Sequence, residues 1–176
     1  MQGAELARAL LSAIVAANGG PNRDANGGSR LPLLIKIAPD LGDAELEALL
    51  EVASACGLDG VVATNTTIAR SGLRTDAARV EAIGAGGLSG EPLRARAVDV
   101  VRRVRARLGR RAVIIGVGGI ARAEHALAML RAGADLVQLY TGFIYEGPGA
   151  AHAIANGIVE TLDRERLSSI RDLVAT

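Results

Sequence analysis

The stretch AVIIGVGGIARAEHALAMLRAGADLVQLYTGFIYEGPG, residues 112–149, reads as strand, glycine turn, helix, strand, glycine turn. Val113-Ile114-Ile115 is an apolar run rich in β-branched residues. It stops at Gly116-Val117-Gly118-Gly119, where backbone approaches a ligand with no side chain in the way. A helix from about Arg122 to Ala132 follows, with Ala126, Leu127, Met129 and Leu130 on its apolar side and Gly133 placed to end it. Leu136 to Tyr140 is a second buried strand, closed by Thr141-Gly142. Two neighbouring parallel strands thus carry glycine-bearing turns at the same end. Amides of such turns, and of the helix N-termini beside them, point at an anion lying between them. In a βα-barrel this is the phosphate site.

The same alternation extends towards the N-terminus. Ala4 to Ala17 has the apolar spacing of a helix, through Leu6, Leu10, Leu11, Ile14 and Val15. Residues 18–31 form a Gly/Asn/Pro-rich surface loop. Leu33 to Ala38 is an apolar strand interrupted only by Lys36, and Asp43 caps a helix that runs to Cys56 with Gly57 at its end. Asp59 to Thr64 is the next strand and delivers Asn65-Thr66-Thr67 at its C-terminal end. Residues 68–91 are too long for a plain connection and read as a functional loop over the site. Pro92 opens a helix that runs to Gly109. Beyond the opening stretch, Ala150 to Leu162 and then Arg164 to Val174 read as helical.

One helix followed by four strand–helix units predicts an α/β fold with four parallel strands and helices outside. A complete eight-unit TIM (β/α)8 barrel needs about 250 residues, and the chain has 176. The expectation is a single partial domain, half of such a barrel. The rival is a small doubly wound sheet, whose first turn would be expected to carry the phosphate glycines; here the strongest ones come late.

Composition bounds the chemistry. The chain is 49% hydrophobic, and aromatic residues are only 2% with no tryptophan, so surfaces for stacking nucleic-acid bases are nearly lacking. Twenty basic residues face nineteen acidic ones. The cluster Arg102, Arg103, Arg105, Arg107, Arg110 and Arg111 reads as a solvated helix face, and no nucleic-acid partner is expected. The single cysteine, Cys56, excludes an internal disulfide and a cysteine-rich metal site. No signal-like N-terminus is seen, and no apolar run approaches the roughly 18 residues of a membrane span. Lys36 is the only lysine among the twenty basic residues, and in so arginine-biased a chain it marks a place for a compact, movable ammonium. Its bland alternative is a snorkelling lysine on an edge strand.

The chemistry-bearing residues gather at strand ends. Asn65-Thr66-Thr67 offers uncharged donors and acceptors suited to a planar amide-bearing substrate, or is simply an Asn/Thr turn. Gly118-Gly119 with Thr141-Gly142 is a phosphate signal. Residues 86–90, GGLSG, form a second glycine loop that alone reads as a flexible connector. His125 and His152 fall on helices away from strand ends and read as surface residues. No Ser/His/Asp arrangement, metal-ligand spacing or paired carboxylates emerge.

KIAPDL at 36–41, ATNTTIAR at 63–70, GGLSGEPL at 86–93, IIGVGGI at 114–120 and AGADLVQLYTGFIYEGP at 132–148 together resemble dihydroorotate dehydrogenase, in particular its quinone-dependent class 2. The resemblance spans nearly the whole chain and corresponds to the C-terminal half of the family's barrel. It implies an FMN enzyme of pyrimidine biosynthesis that oxidises dihydroorotate to orotate and reduces a quinone, peripheral on the cytoplasmic side of the membrane. This chain itself shows no membrane segment. By the resemblance Lys36 and Thr64 contact the flavin, Asn65 and Thr66 hydrogen-bond the substrate ring, and Gly90, Gly119, Tyr140 and Thr141 complete the cofactor site.

The class 2 base is a serine that the resemblance places upstream of Met1; none of Ser12, Ser29, Ser54, Ser71, Ser89, Ser168 or Ser169 matches it. Loss of such a base slows proton abstraction by about 10²–10⁴-fold, so the chain alone is expected to be inactive. Partners implied are the missing N-terminal half or, failing that, self-association across open sheet edges. The alternatives are a non-catalytic flavin- or phosphate-binding half-barrel, or another FMN barrel. A dihydropyrimidine dehydrogenase domain is disfavoured by the lack of iron–sulfur cysteine runs, and a dihydrouridine synthase domain by the lack of a basic RNA-binding face.

Overall fold

The computed structural model describes residues 2–19 and 31–174. Most of the loop expected at 18–31 lies outside the described residues. In chain order the elements are α1 (Gln2–Ala17), β1 (Leu34–Ile37), α2 (Asp43–Ala55), β2 (Gly60–Ala63), α3 (Ala77–Ile83), α4 (Arg94–Leu108), β3 (Val113–Val117), α5 (Ala123–Arg131), β4 (Leu136–Gln138), α6 (Thr141–Glu146) and α7 (Ala150–Glu165). The four strands form one parallel sheet in the order β1-β2-β3-β4.

Strand order and burial decide between the two expected architectures. A doubly wound sheet reverses its order part-way and covers both faces with helices. Here the order never reverses, and side chains alternate between a covered and an open face. Ile37, Val61, Ala63 and Ile114 are buried in a core with Leu50 of α2, Val100, Val101 and Val104 of α4, and Leu127 and Leu130 of α5. The opposite face carries Lys36, Val62, Ile115 and Leu136 in one row of the register. On that face Leu136 is 56% exposed and Val113 39%. This is half of a βα-barrel whose lumen-side face is left uncovered by the described residues.

The helix-to-strand turns are built alike. α2 and α5 each end in a glycine of positive φ, Gly57 at +74° and Gly133 at +114°. At both ends two amides fold back onto the last turn: Gly57 N donates to Ser54 O at 3.0 Å and Leu58 N to Ala53 O at 3.1 Å, while Gly133 N donates to Leu130 O at 2.9 Å and Ala134 N to Met129 O at 3.0 Å. This satisfies carbonyls the helix would otherwise leave open. An aspartate follows each time and ties the new strand to its neighbour. Leu33 N donates to Asp59 Oδ2 at 2.7 Å and Ile114 N to Asp135 Oδ2 at 2.8 Å.

Several boundaries differ from the sequence reading. Gly42, not Asp43, is the N-cap of α2, because its own amide donates to Glu45 Oε2 at 2.9 Å. The 68–91 segment contains α3, capped by Asp76, whose Oδ1 accepts from Ala78 N at 2.9 Å. Pro92 sits in a 3-10 turn, Glu91–Leu93, just before α4. Thr141-Gly142 opens the short helix α6 rather than a turn. The C-terminal stretch 164–174 is not one helix. α7 stops where Arg166 adopts φ +56°, and Ser169 then caps a 3-10 turn at Ile170–Asp172 by accepting from Arg171 N at 2.9 Å.

Candidate functional site

The C-terminal ends of the strands bring together the residues the sequence singled out for a ligand, except Thr67, which is buried and bonded away from the cleft. Lys36, Thr64, Asn65, Thr66, Gly90, Gly119, Tyr140 and Thr141 all line one cavity of about 200 Å³. Ser89, Gln138 and Gly118 line it as well. A second cavity of about 610 Å³, walled by α3 and α6, shares Ser89, Gly90, Gly119, Ile120, Thr141 and Gly142 with the first. The two form adjoining parts of one cleft, and its volume falls in the roughly 300–1,000 Å³ range of ligand sites.

Each wall has a structural cause. Lys36 lies on the uncovered face of β1 and is exposed, so both readings of it meet: it stands on an edge strand and it faces the cleft. Past the end of β2 the ladder continues on both sides, with Thr64 N donating to Val117 O at 2.8 Å and Asn65 N to Ile37 O at 2.7 Å. The peptide bond between Ala63 and Thr64 is cis. Thr64 is buried, and its hydroxyl donates to Asn65 O at 2.9 Å. Asn65 and Thr66 are exposed towards the cleft, with Thr66 N donating to Asn65 Oδ1 at 2.9 Å. The Asn/Thr segment is therefore a turn and a cleft wall at once.

The glycines are fixed by close approach. At Gly119, φ is +67°, and a Cβ would lie 2.5 Å from Arg94 Cβ and 3.0 Å from Gly90 O. At Gly142 it would lie 2.1 Å from Ile120 O. The second glycine loop is no mere connector, since a Cβ on Gly87 would fall 2.0 Å from Thr66 Oγ1. Thr141 Oγ1 donates to Ser89 Oγ at 2.8 Å and pins that loop to the start of α6. Tyr140 lines the cleft and is 81% exposed.

His125 departs from its surface reading. It is half-buried, with Nε2 against the Arg94 guanidinium and Nδ1 accepting from Ala121 N at 3.3 Å. Burial, reinforced by the positive charge of Arg94, lowers its pKa below 6.5. It buttresses the glycine turn from behind. Arg105 is the other exception. Within the arginine cluster it alone is buried, at 5% exposure, where it pairs with Asp135 Oδ2 at 2.6 Å and donates to Gly133 O at 2.8 Å. His152 is exposed as expected. Cys56 is half-buried beside Ser12, with Sγ and Oγ 3.7 Å apart. Among the described residues no group of three or more His, Cys, Asp or Glu side chains is placed to hold a metal ion.

Sequence reasoning missed Ser89, Gln138 and His125. Gln138 had a signal: it is the polar residue two before Tyr140, on the same strand face as Leu136. Ser89 and His125 had none, because their partners lie 52 and 31 residues away.

The family profile for dihydroorotate dehydrogenase matches residues 1–162. The chain belongs to the dihydroorotate dehydrogenase family. It is 49% identical over 174 residues to dihydroorotate dehydrogenase (quinone) of Thermobifida fusca, covering 99% of this chain and 45% of the relative. It is 53% identical over 135 residues to the protein of the same name from Nocardioides, covering 77% of this chain and 38% of that one. The crystal structure of ligand-free DHODH from Eimeria tenella superposes with a TM-score of 0.86 at 31% identity, covering 97% of this chain and 49% of that one. The chain thus spans less than half the length of these dihydroorotate dehydrogenase relatives. The four-stranded half-barrel is the structural counterpart of that share. Among the described residues no helix is long and apolar enough to cross a membrane.

Proposed function

We propose that this chain forms the cofactor-holding half of a quinone-dependent dihydroorotate dehydrogenase, which oxidises dihydroorotate to orotate in pyrimidine biosynthesis with FMN as its flavin. The carrying observation is the convergence of Lys36, Thr64, Asn65, Thr66, Gly90, Gly119, Tyr140 and Thr141 on one cleft. The donor set fits FMN. Backbone at Gly119 and Thr141, with a glycine that no Cβ can replace, suits a phosphate. A lone ammonium at Lys36 suits an electron-rich ring, and Thr64 lines the same cavity. FMN, when bound, supplies the two-electron acceptor for the hydride.

The chain's own side chains then have distinct tasks. Asn65 and Thr66 offer an amide and a hydroxyl to the ring amides of dihydroorotate and hold its hydride-bearing carbon in register. Lys36 keeps positive charge beside the cofactor, where negative charge grows on reduction. The second hydrogen lost in the oxidation leaves as a proton, and that proton needs an acceptor. Among the described residues lining the 200 Å³ cavity, beside Asn65 and Thr66, there is no histidine or carboxylate; Glu91 and Glu146 line only the adjoining larger part, and Ser89 Oγ already accepts from Thr141. On this reading the base, a serine, and the remaining cofactor contacts belong to the other half of the barrel. That half covers the open face of the sheet, and the intact enzyme meets its quinone at the cytoplasmic surface of the membrane.

A second reading, a non-catalytic flavin- or phosphate-binding half-barrel, draws on the same missing proton acceptor. One assay separates them. The chain is purified alone and co-expressed with the N-terminal half of the Thermobifida fusca relative, each is supplied with FMN, and dihydroorotate-dependent quinone reduction is followed. Activity of the pair and none of the chain alone is expected. Turnover by the chain alone, or a folded pair that holds FMN without turnover, contradicts the proposal.

A further inference from the structure

Asp40 lies outside every contact assigned so far, yet it occupies a node between the sheet and the loop that carries Asn65 and Thr66. Its Oδ1 accepts from the Thr67 hydroxyl, and its Oδ2 accepts from Ile68 N at 3.1 Å. Thr67 is buried, and its hydroxyl is used twice, since Oγ1 also accepts from Ala69 N at 2.9 Å. Both of its backbone groups pair with Leu88, Thr67 N donating to Leu88 O at 3.0 Å and Leu88 N to Thr67 O at 2.8 Å. Thr67 therefore closes the neck of the long segment between β2 and α4, and nothing of it remains to meet a ligand.

The other side of the node is equally fixed. Arg96 of α4 donates from Nε to Pro39 O at 2.8 Å and from Nη2 to Leu41 O at 2.9 Å, the two carbonyls that flank Asp40. Pro39 is fully buried. The carboxylate is thus presented from a braced turn at the end of β1. The Asn65-Thr66 pair is suspended between two anchors: the ladder bonds of Thr64 and Asn65 on one side, the Asp40–Thr67 bond on the other. Neither bond of Asp40 reaches Gly119 or Thr141; Thr67 is linked to them at one remove, through its pairing with Leu88 and the Ser89–Thr141 bond.

We propose that Asp40 is a positioning residue for substrate: acting through Thr67, it sets the register of Asn65 and Thr66 in the cleft without touching substrate or flavin. The inference rests on the function proposed above. Loss of the carboxylate releases the Thr67 hydroxyl and the Ile68 amide, and Asn65-Thr66 drifts from its place. Displacements of about 1 Å in such groups cost up to roughly a hundredfold. The effect falls first on substrate, because the Leu88 pairing of Thr67 still holds the loop that carries Ser89 and Gly90.

The test uses the chain complexed with the Thermobifida fusca N-terminal half and loaded with FMN. Flavin retention is read by fluorescence, orotate affinity by the shift it induces in flavin absorption, and kcat and KM by quinone reduction. Asp40→Ala is expected to raise the orotate Kd and the dihydroorotate KM by about tenfold or more with flavin retention unchanged, within the range set by misplaced binding groups. Asp40→Asn, which keeps one acceptor oxygen, recovers part of the loss, and Thr67→Ser recovers more than Thr67→Val. Unaltered orotate affinity in Asp40→Ala overturns the inference. So does equal loss of flavin and orotate accompanied by loss of amide-exchange protection in β2 and β3, which would make Asp40 a fold residue. If the unsubstituted complex holds flavin but not orotate, the substrate reading of the site fails and the inference falls with it; that case is recognisable because no variant is needed to see it.

Discussion

At Gly119 the backbone has left no space for a side chain, and the proposed anion seat rests on this at the residue scale: with a Cβ 2.5 Å from Arg94 Cβ and φ at +67°, any other residue moves the turn. Behind it, His125 is held neutral by burial and by Arg94, with its pKa below 6.5. A histidine whose folded pKa is depressed leaves stability intact above the unfolded value and removes it as pH falls from about 6.5 towards the folded pKa, because the unfolded chain takes up the proton first. The expected outcome is a melting temperature that drops between about pH 7 and pH 5 more steeply in the natural chain than in His125→Gln, measured by circular dichroism. Identical pH profiles would show that His125 does not matter there. The difference in legibility between these two residues is instructive. Lys36, Asn65 and Gly119 announce themselves by breaking a local pattern: a charge in an apolar run, a polar triplet at a strand end, paired glycines before a helix. His125 breaks none, because its environment is made by Arg94 on another helix.

At the scale of elements, one buried arginine does work that the sequence conceals within a row of exposed ones. Arg105 on α4 reaches under the sheet to Gly133 O, to Gly109 O at 2.6 Å, to Ala112 O at 3.2 Å and to Asp135. It thereby joins the ends of α4 and α5 to the starts of β3 and β4. Arg105→Ala strands three carbonyls and leaves Asp135 only its bond from Ile114 N, and urea unfolding is expected to show a loss of about 2–4 kcal/mol. Arg107→Ala removes an exposed pair with Glu47 and is expected to cost less than about 1 kcal/mol. Equal losses in the two variants would contradict the assignment of Arg105 as the tie. The parallel strands and most helices were readable because continuous apolar runs and 3.6-residue spacing are local. Helix ends were less so: α7 stops at Arg166 in a left-handed conformation that a glycine usually signals, and α3 is too short for periodicity to speak. Its N-cap Asp76 was the available clue.

For the whole molecule, the deciding feature is a sheet covered on one side only. Apolar Leu136 and Val113 are open, and among the described residues no strand pairs with the outer edges of β1 and β4, a state that parallel sheets otherwise avoid. The isolated chain is expected to self-associate, seen as species larger than one chain by size exclusion with light scattering; a stable, monodisperse monomer would contradict this. The half-barrel itself followed from counting strand–helix units against length, while the sidedness that excludes a doubly wound sheet came only from burial. The proposed function rests on the cleft at the strand ends, and flavin titration tests that claim most directly. FMN is titrated into the chain complexed with the Thermobifida fusca N-terminal half, following flavin fluorescence, beside the Gly119→Ala and Lys36→Ala variants. Saturable one-to-one binding is predicted, abolished by Gly119→Ala and weakened by Lys36→Ala. A folded complex that binds no flavin, or binds it equally well with alanine at position 119, would contradict the account.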